Sequence, residues 1–156
     1  MVELIVGKKG KGKTKVLLDK VNGAVKDANG SIVYLDKSTK HMYELNNKVR
    51  LIDVSGFPVK NADEFVGFIC GILSQDHDLE QVYLDSFLTT AKLEGKDATE
   101  TLDQLSAIGE TSKFPLLSVC LWIKKKFRKH IRIKLSAHYN KIEYERPILY
   151  IKHKRT

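Results

Sequence analysis

The strongest constraint on the fold lies near the start of the chain, in the segment VELIVGKKGKGKT at residues 2–14. Its first residues are mostly apolar, which is typical of a buried strand. The spacing Gly7-x-x-x-x-Gly12-Lys13-Thr14 then matches the Walker A pattern of a phosphate-binding loop. A strand that leads into such a loop and then into a helix favours an α/β fold with a mostly parallel sheet.

Each position of this loop has a mechanical role. Gly10 and Gly12 carry no side chain, so backbone N–H groups can approach a phosphate closely. Lys13 would reach the β- and γ-phosphates, and the Thr14 hydroxyl would bind Mg²⁺. The helix that begins near Lys13 adds the positive end of its dipole. We therefore predict that Mg-ATP binds to Gly7, Lys8, Lys9, Gly10, Lys11, Gly12, Lys13, Thr14 and Lys15.

A phosphate-binding loop needs a carboxylate at the end of a nearby strand to hold Mg²⁺. Three apolar segments offer one, since IVYLD ends at Asp36, VRLID at Asp53 and QVYLD at Asp85. We prefer Asp85 as the Walker B residue, because its strand follows a complete crossover helix. Asp36 and Asp53 stay open as alternatives, since carboxylates at strand ends are also common helix caps. The predicted catalytic residues are Lys13 and Asp85, and the predicted metal ligands are Thr14 and Asp85.

The rest of the chain alternates between strand and helix patterns. Together with the loop motif, this alternation predicts a three-layer P-loop NTPase fold with a mostly parallel sheet covered on both faces, and ligand at the carboxyl ends of the strands. Predicted strands follow at residues 31–35, 49–54, 79–84 and 114–121. Predicted helices run from about 13 to 28, from about 61 onward, and from about 98 to 108.

The net charge of +8 is concentrated in the tail. Residues 1–123 carry 15 Lys+Arg and 17 Asp+Glu, whereas residues 124–156 carry 12 and 2. We therefore divide the chain into a P-loop domain at 1–121 and a basic tail at 122–156. The tail makes nucleic-acid binding a third-ranked function, because charge alone supplies only nonspecific affinity.

The choice of nucleotide and reaction follows from what surrounds the loop. The DVSG segment at residues 53–56 fits the D-x-x-G of GTPases, but the guanine-specificity pattern N-K-x-D is absent after it. GTP is therefore disfavoured. The chain before the tail has a single arginine, Arg50, which is too few for the arginine-rich lid of a small-molecule kinase.

The residue after Asp85 is Ser86, so no water-activating glutamate occupies the adjacent position. Glu44 and Glu64 are conceivable substitutes, although both are expected in solvent. Two functions stay open: an ATPase, for which a homo-oligomer would supply charge in trans, and a nucleotide-binding regulatory or assembly module without turnover.

Two histidines lie in polar segments. His41 follows the second strand, and we expect it to be exposed in a loop, the alternative being contact with a bound phosphate. His77 lies within QDHD at residues 75–78, which we interpret as a solvated turn because its spacing matches no standard metal site.

No run of apolar residues reaches membrane-spanning length, and the chain opens on a predicted strand instead of a signal peptide. We therefore expect a cytoplasmic protein. Cys70 and Cys120 show no metal spacing, and we expect no disulfide between them in that compartment.

Residues 1 to about 112 resemble a family of short P-loop ATPase-like proteins of Firmicutes, some likened to the retraction ATPase of twitching motility. The resemblance is carried by VELIVGKKGKGKT, VYLDKSTKHMYELNNKVRLIDV and QVYLDSF, and it implies nucleotide binding on a RecA-like sheet. Family members end with a strand and an acidic segment, whereas this chain turns basic. Our hypothesis is that residues beyond about 113 arise from a frameshift and are poorly ordered; sequencing the locus tests it.

Overall fold

The computed structural model describes residues 2–7, 10, 12–111, 116–122, 139–145 and 148–153, with side chains described at 3–6, 10 and 12–111. The strands are β1 (Val2–Gly7), β2 (Ser31–Asp36), β3 (Val49–Asp53), β4 (Leu79–Leu84), β5 (Leu116–Trp122), β6 (Tyr139–Glu145) and β7 (Ile148–His153). The helices are α1 (Lys13–Ala24), α2 (Ala62–Gln75), α3 (Phe87–Thr90) and α4 (Thr99–Thr111). A single 3₁₀ turn, Val54–Gly56, follows β3.

The described strands form one sheet in the order β3-β2-β4-β5-β1-β7-β6. The first five are mutually parallel, while β7 is antiparallel to both β1 and β6. Because parallel neighbours end on the same side, β1 to β5 share one carboxyl edge and, opposite it, one amino edge. The loop after β1 and the three predicted aspartates therefore all lie along the carboxyl edge.

Apolar side chains cover the sheet on both faces, as expected when alternate residues of a strand point in opposite directions. One face packs against α1, and its buried residues include Ile5, Leu17, Val21, Tyr34 and Tyr83. The other packs against α2 and α4, and its buried residues include Leu4, Val33, Phe65, Leu84 and Leu105. The protein is therefore an α/β structure in which a mostly parallel sheet lies between two helical layers.

Most predicted elements of the first 111 residues are confirmed, but α1 is shorter than predicted. It ends at Ala24 instead of Ala28. Beyond that point the chain tightens into turns of 3₁₀ type, in which the Lys26 N–H donates to the Gly23 carbonyl and the Asp27 N–H to the Ala24 carbonyl, both at 3.2 Å.

Three elements have no counterpart in the sequence prediction. The helix α3 spans four residues, too few to show helical periodicity. The strands β6 and β7 lie in the basic tail, where no strand is predicted, although β7 begins with the apolar run ILYI at residues 148–151. The interpretation of the tail as frameshifted and poorly ordered falls largely on residues 112–115, 123–138, 146–147 and 154–156, which lie outside the described residues.

Within the described part of the chain, no helix combines the length and the apolar character needed to cross a bilayer.

Candidate functional site

A cleft of about 450 Å³ opens at the carboxyl edge of the sheet. This volume is within the usual range for small-molecule sites. Three segments line it: the loop before α1, the loop after β2, and the chain after β4. The lining residues are Gly10, Gly12, Lys13, Thr14, Lys37, Lys40, His41, Asp85, Ser86, Phe87, Leu88, Thr89 and Glu94.

The segment before α1 reaches the cleft through Gly10 and Gly12, and it is followed there by the first turn of α1. Gly10 and Gly12 have φ angles of 75° and 79°, a left-handed conformation in which a side chain is strained. Gly12 caps α1, so Lys13 and Thr14 lie in its first turn and face the cleft. Of the predicted binding residues, these four line the cleft as expected.

The remaining predicted loop residues are placed differently. Gly7 ends β1, as the motif requires. Lys15 lies on α1 with an exposed side chain outside the cleft lining. Lys8, Lys9 and Lys11 lie outside the described residues, so their contact with phosphate stays a prediction.

Two buried carboxylates meet on the wall opposite this loop. Strands β2 and β4 are paired in register up to Leu35 and Leu84, so Asp36 and Asp85 are the next residues of the two strands. The Asp85 N–H continues the ladder by donating to the Leu35 carbonyl at 2.9 Å. Asp36 is 3% exposed and Asp85 is 4% exposed. The sheet therefore brings two of the three candidate aspartates together.

Four donors orient this carboxylate pair. Asp85 accepts hydrogen bonds from the Tyr34 hydroxyl at 3.0 Å, through Oδ2, and from the Ser86 N–H at 2.7 Å, through Oδ1. Asp36 accepts one from the Lys37 N–H at 2.6 Å and one from the Ser86 hydroxyl. Each carboxylate oxygen can accept two bonds, so these contacts fix the orientation and leave capacity for a ligand.

Ser86 holds the pair together at some conformational cost. Its φ of 51° and ψ of 33° are left-handed, which for a residue with a Cβ costs about 1–2 kcal/mol. The backbone N–H of this residue binds Asp85, and its hydroxyl binds Asp36. Such strain persists only where surrounding contacts enforce it, and it is typical of functional sites.

The electrostatics of the cleft act most strongly on Asp36. Burial, followed by the neighbouring Asp85 carboxylate, raises the pKa of Asp36 above its usual value. The hydrogen bonds from the Lys37 N–H and the Ser86 hydroxyl, and the nearby His41, act in the opposite direction. The two carboxylates therefore repel each other when both are ionised.

His41 belongs to this cluster, so the expectation that it is an exposed loop residue is wrong. Its side chain is 18% exposed and lines the cleft. A ring nitrogen of His41 and one oxygen each of Asp36 and Asp85 lie within 4.8 Å of one another. Its Nδ1 lies 2.7 Å from Oε1 of Glu44, which shows that Glu44 positions the imidazole.

Two other predicted carboxylates have structural roles. Asp53 lies beside Asp36 in the register of β2 and β3, yet its Oδ1 accepts from the Ser55 N–H at 2.9 Å and the Ser55 hydroxyl at 2.6 Å. It caps the 3₁₀ turn and does not line the cleft. Glu64 lies in the first turn of α2, where it accepts from the Lys60 N–H at 2.6 Å.

Three charged residues of the cleft are not among the predicted site residues. Lys37 and Lys40 follow β2 and add positive charge. Glu94 adds an exposed carboxylate, whose Oε1 accepts from the Thr89 hydroxyl at 2.8 Å. The spacing of lysines after a strand that ends in aspartate could have indicated the first two, but nothing in the sequence places Glu94 near the loop.

No protein-family model and no curated protein matches the chain. The resemblance to short P-loop ATPase-like proteins therefore stays a prediction from motifs, and the function is argued from the geometry of the cleft.

Proposed function

We propose that the chain is a P-loop nucleoside triphosphatase with a RecA-like fold that binds Mg-ATP at the carboxyl edge and hydrolyses it to ADP and phosphate. The observation that carries the proposal is one cleft that joins Lys13 and Thr14, in the first turn of α1, to the buried Asp85 at the end of β4. This is the placement that a Walker A loop and a Walker B carboxylate need.

The roles follow from the chemistry of the side chains. Backbone N–H groups around Gly10 and Gly12 and the dipole of α1 would bind phosphate oxygens. Lys13 would neutralise the β- and γ-phosphates, with Lys37 and Lys40 adding positive charge at the rim. Mg²⁺, when bound with ATP, would be held by Thr14 and Asp85 and would stabilise the charge that develops during phosphoryl transfer.

Glu94 is the proposed base that orients the attacking water. It lines the cleft, it is exposed to solvent, and it lies outside the buried Asp36–Asp85 pair. Glu94 would thereby replace the water-activating glutamate that is expected next to Asp85, where this chain has Ser86. A proton acceptor in this position typically contributes about 100-fold or more to the rate.

A nucleotide-binding module without turnover is the second candidate, and the position of Arg50 favours it. Its guanidinium lies 3.3 Å from Asp76, on the opposite edge of the sheet. The described part of the cleft contains no arginine. If the chain is an ATPase, the arginine that stabilises the transition state would therefore come from a second subunit. We propose a homo-oligomer as the active form.

Titration of the full chain with ATP and GTP, each with and without Mg²⁺, followed by an assay of released phosphate, tests the proposal. We expect Mg-ATP to bind more tightly than Mg-GTP, and Lys13→Ala to weaken ATP binding by at least about 10-fold, as expected for loss of one charged phosphate contact. Lys15→Ala is the matched control, because Lys15 lies on the same helix outside the cleft.

The Glu94→Gln variant distinguishes the ATPase from the nucleotide-binding module without turnover. If the chain is an ATPase, Glu94→Gln lowers phosphate release and leaves ATP affinity nearly unchanged. ATP binding with no release above background, in both the wild type and Glu94→Gln, would establish the module without turnover. Equal binding by wild type and Lys13→Ala would refute both.

A further inference from the structure

We propose that Asp36, His41 and Asp85 form a binding site for a first-row divalent transition-metal ion, with a preference for Zn²⁺ and Mn²⁺ over Mg²⁺. The proposal deepens the function proposed above by adding that a transition-metal ion can take the place proposed for Mg²⁺ beside Asp85, and it rests on that function for its role. The binding itself requires no nucleotide.

The geometry of the three side chains carries the inference. Their ligand atoms lie within 4.8 Å of one another. Ligands of a tetrahedral ion with bonds of about 2.1 Å are about 3.4 Å apart, so a contraction of up to about 1.4 Å would bring all three into coordination. Asp36 and Asp85 are buried at the strand ends, and His41 lies in the loop after β2, which lets the loop make the adjustment.

The second observation is the partner of His41. Its Nδ1 lies 2.7 Å from Oε1 of Glu44, a contact in which the imidazole N–H donates to the carboxylate. In the neutral imidazole, Nε2 then carries the lone pair that a metal needs. A carboxylate behind a ligating histidine fixes the tautomer, orients the ring and increases its basicity.

The two carboxylates are supported in a similar way. The Tyr34 hydroxyl and the Ser86 N–H hold Asp85, while the Lys37 N–H and the Ser86 hydroxyl hold Asp36. These contacts place two negative groups side by side in a buried position. A divalent cation between them would turn that repulsion into attraction.

The set of donors indicates the class of metal. Two carboxylates alone would suit Mg²⁺, which prefers oxygen and retains several waters. An imidazole nitrogen favours borderline ions, and affinities of such mixed sites rise from Mn²⁺ to Zn²⁺. Water and the phosphates of a bound nucleotide would complete the coordination on the open side of the cleft.

Titration of the full chain without nucleotide tests the site, with Zn²⁺, Mn²⁺ and Mg²⁺ followed by calorimetry and Mn²⁺ also by electron paramagnetic resonance. We expect one site that binds Zn²⁺ at least about 10-fold more tightly than Mg²⁺. His41→Ala should lower the Zn²⁺ and Mn²⁺ affinities by about 10- to 100-fold and the Mg²⁺ affinity by less than about 3-fold. Glu44→Gln should lower the Zn²⁺ affinity by about 10-fold.

His77→Ala is the matched control, because His77 also stands between two aspartates in the sequence but lies exposed at the amino edge. It should leave all three affinities unchanged, and His41→Gln should reproduce the loss seen with His41→Ala. Equal affinities for the three ions, or an equal loss in the His77 variant, would overturn the proposal. Lys13→Ala separates the two proposals, since it should weaken ATP binding and leave Zn²⁺ binding intact.

Discussion

The charged side chains are arranged differently at the two edges of the sheet. At the amino edge, opposite charges pair: Glu3 of β1 binds Lys20 of α1, and Arg50 of β3 lies 3.3 Å from Asp76. At the carboxyl edge, the like charges of Asp36 and Asp85 are buried side by side, and the pKa of Asp36 is raised. The acidic side chains named at the amino edge are paired with basic ones. At the carboxyl edge, two carboxylates lie side by side next to the cleft.

The difference indicates which edge serves stability and which serves binding. A fold selected for stability alone would avoid two adjacent buried carboxylates, because their desolvation and repulsion oppose folding. Proteins tolerate such arrangements at functional sites, where a ligand supplies the missing charge. Substitutions at the two edges should therefore have separable effects on stability and on ligand binding.

The largest expected effect is the loss of turnover in Asp85→Asn. Removing one negative charge from the proposed metal site should lower Mg-ATP-dependent phosphate release by more than about 100-fold, which corresponds to about 3 kcal/mol of transition-state stabilisation. The unfolding temperature should not fall, because asparagine can accept the Ser86 N–H through its oxygen and donate its NH₂ to the Tyr34 hydroxyl oxygen. Steady-state phosphate release and thermal unfolding measure the two quantities.

Asp53→Asn provides the comparison for this variant, since Asp53 also ends a strand and caps a turn outside the cleft. It should leave phosphate release unchanged. An equal loss of activity in both variants would mean that the division between cleft and structural carboxylates is wrong.

The second-largest effect is expected for a substitution at the amino edge, Gly30→Ala. A Cβ at Gly30 would lie 1.9 Å from the carbonyl oxygen of Asp78, which already accepts the Ser31 N–H at 2.8 Å. Gly30→Ala should therefore separate the starts of β2 and β4 and destabilise the fold by about 2–3 kcal/mol, which lowers Tm by about 5–10 °C. Differential scanning calorimetry measures the shift.

Gly71→Ala is the control for this prediction, because a Cβ there meets nothing within 4 Å and Gly71 lies within α2. It should stabilise the protein by up to about 1 kcal/mol. ATP affinity, measured below the unfolding transition, should be unchanged in both variants. A weakened affinity in Gly30→Ala alone would show that the two edges are coupled.

Most strands and helices of the first 111 residues were predictable because their signals are local, whereas the four-residue α3 was not. The buried strands β2 and β4 contain the apolar runs IVYL at residues 32–35 and VYL at residues 82–84, and the glycine spacing around Gly12 fixes the start of α1. What the chain does not encode locally is the order of strands. Asp36, Asp53 and Asp85 look alike in sequence, and only the pairing of β2 with β4 brings Asp36 and Asp85 together.

The loop residues of the site were less predictable for a related reason. His41 and Glu94 lie in segments without periodicity, so the sequence does not show which way they face. His41 reaches the cleft because Glu44 positions its ring and because the loop after β2 is anchored to α1, where the side-chain amide of Asn22 binds the Glu44 carbonyl at 2.8 Å and the Asn46 N–H at 2.8 Å. The two contacts with Asn22 are long-range in sequence, and no sequence motif predicts them.

At the carboxyl edge, Asp36→Asn should stabilise the protein in the absence of ligand. A carboxyl whose pKa is raised by folding is favoured in its protonated form, so its contribution is present below its unfolded pKa and is lost as pH rises through its folded pKa. At pH 7 the variant should therefore gain about 1 kcal/mol, or about 2–4 °C in Tm, relative to wild type.

This gain should shrink as pH falls below the raised pKa of Asp36, and thermal unfolding between pH 4 and 8 follows it. The same variant should lose Zn²⁺ affinity, because it removes one ligand. A variant that is less stable than wild type at every pH would show that the hydrogen bonds of Asp36 outweigh its burial.

The smallest effect is expected for Arg50→Gln at the amino edge. The Arg50 side chain is 46% exposed and lies 3.3 Å from Asp76, so the ion pair is largely screened by solvent. Such pairs contribute about 0.2–1 kcal/mol, and the loss in Arg50→Gln should shrink further in 1 M salt, where the Debye length is about 3 Å. Urea unfolding at low and high salt measures it. A loss above about 2 kcal/mol that salt does not reduce would mean that solvent does not screen the Arg50–Asp76 pair, and that the amino edge depends on this ion pair as it would on a buried one.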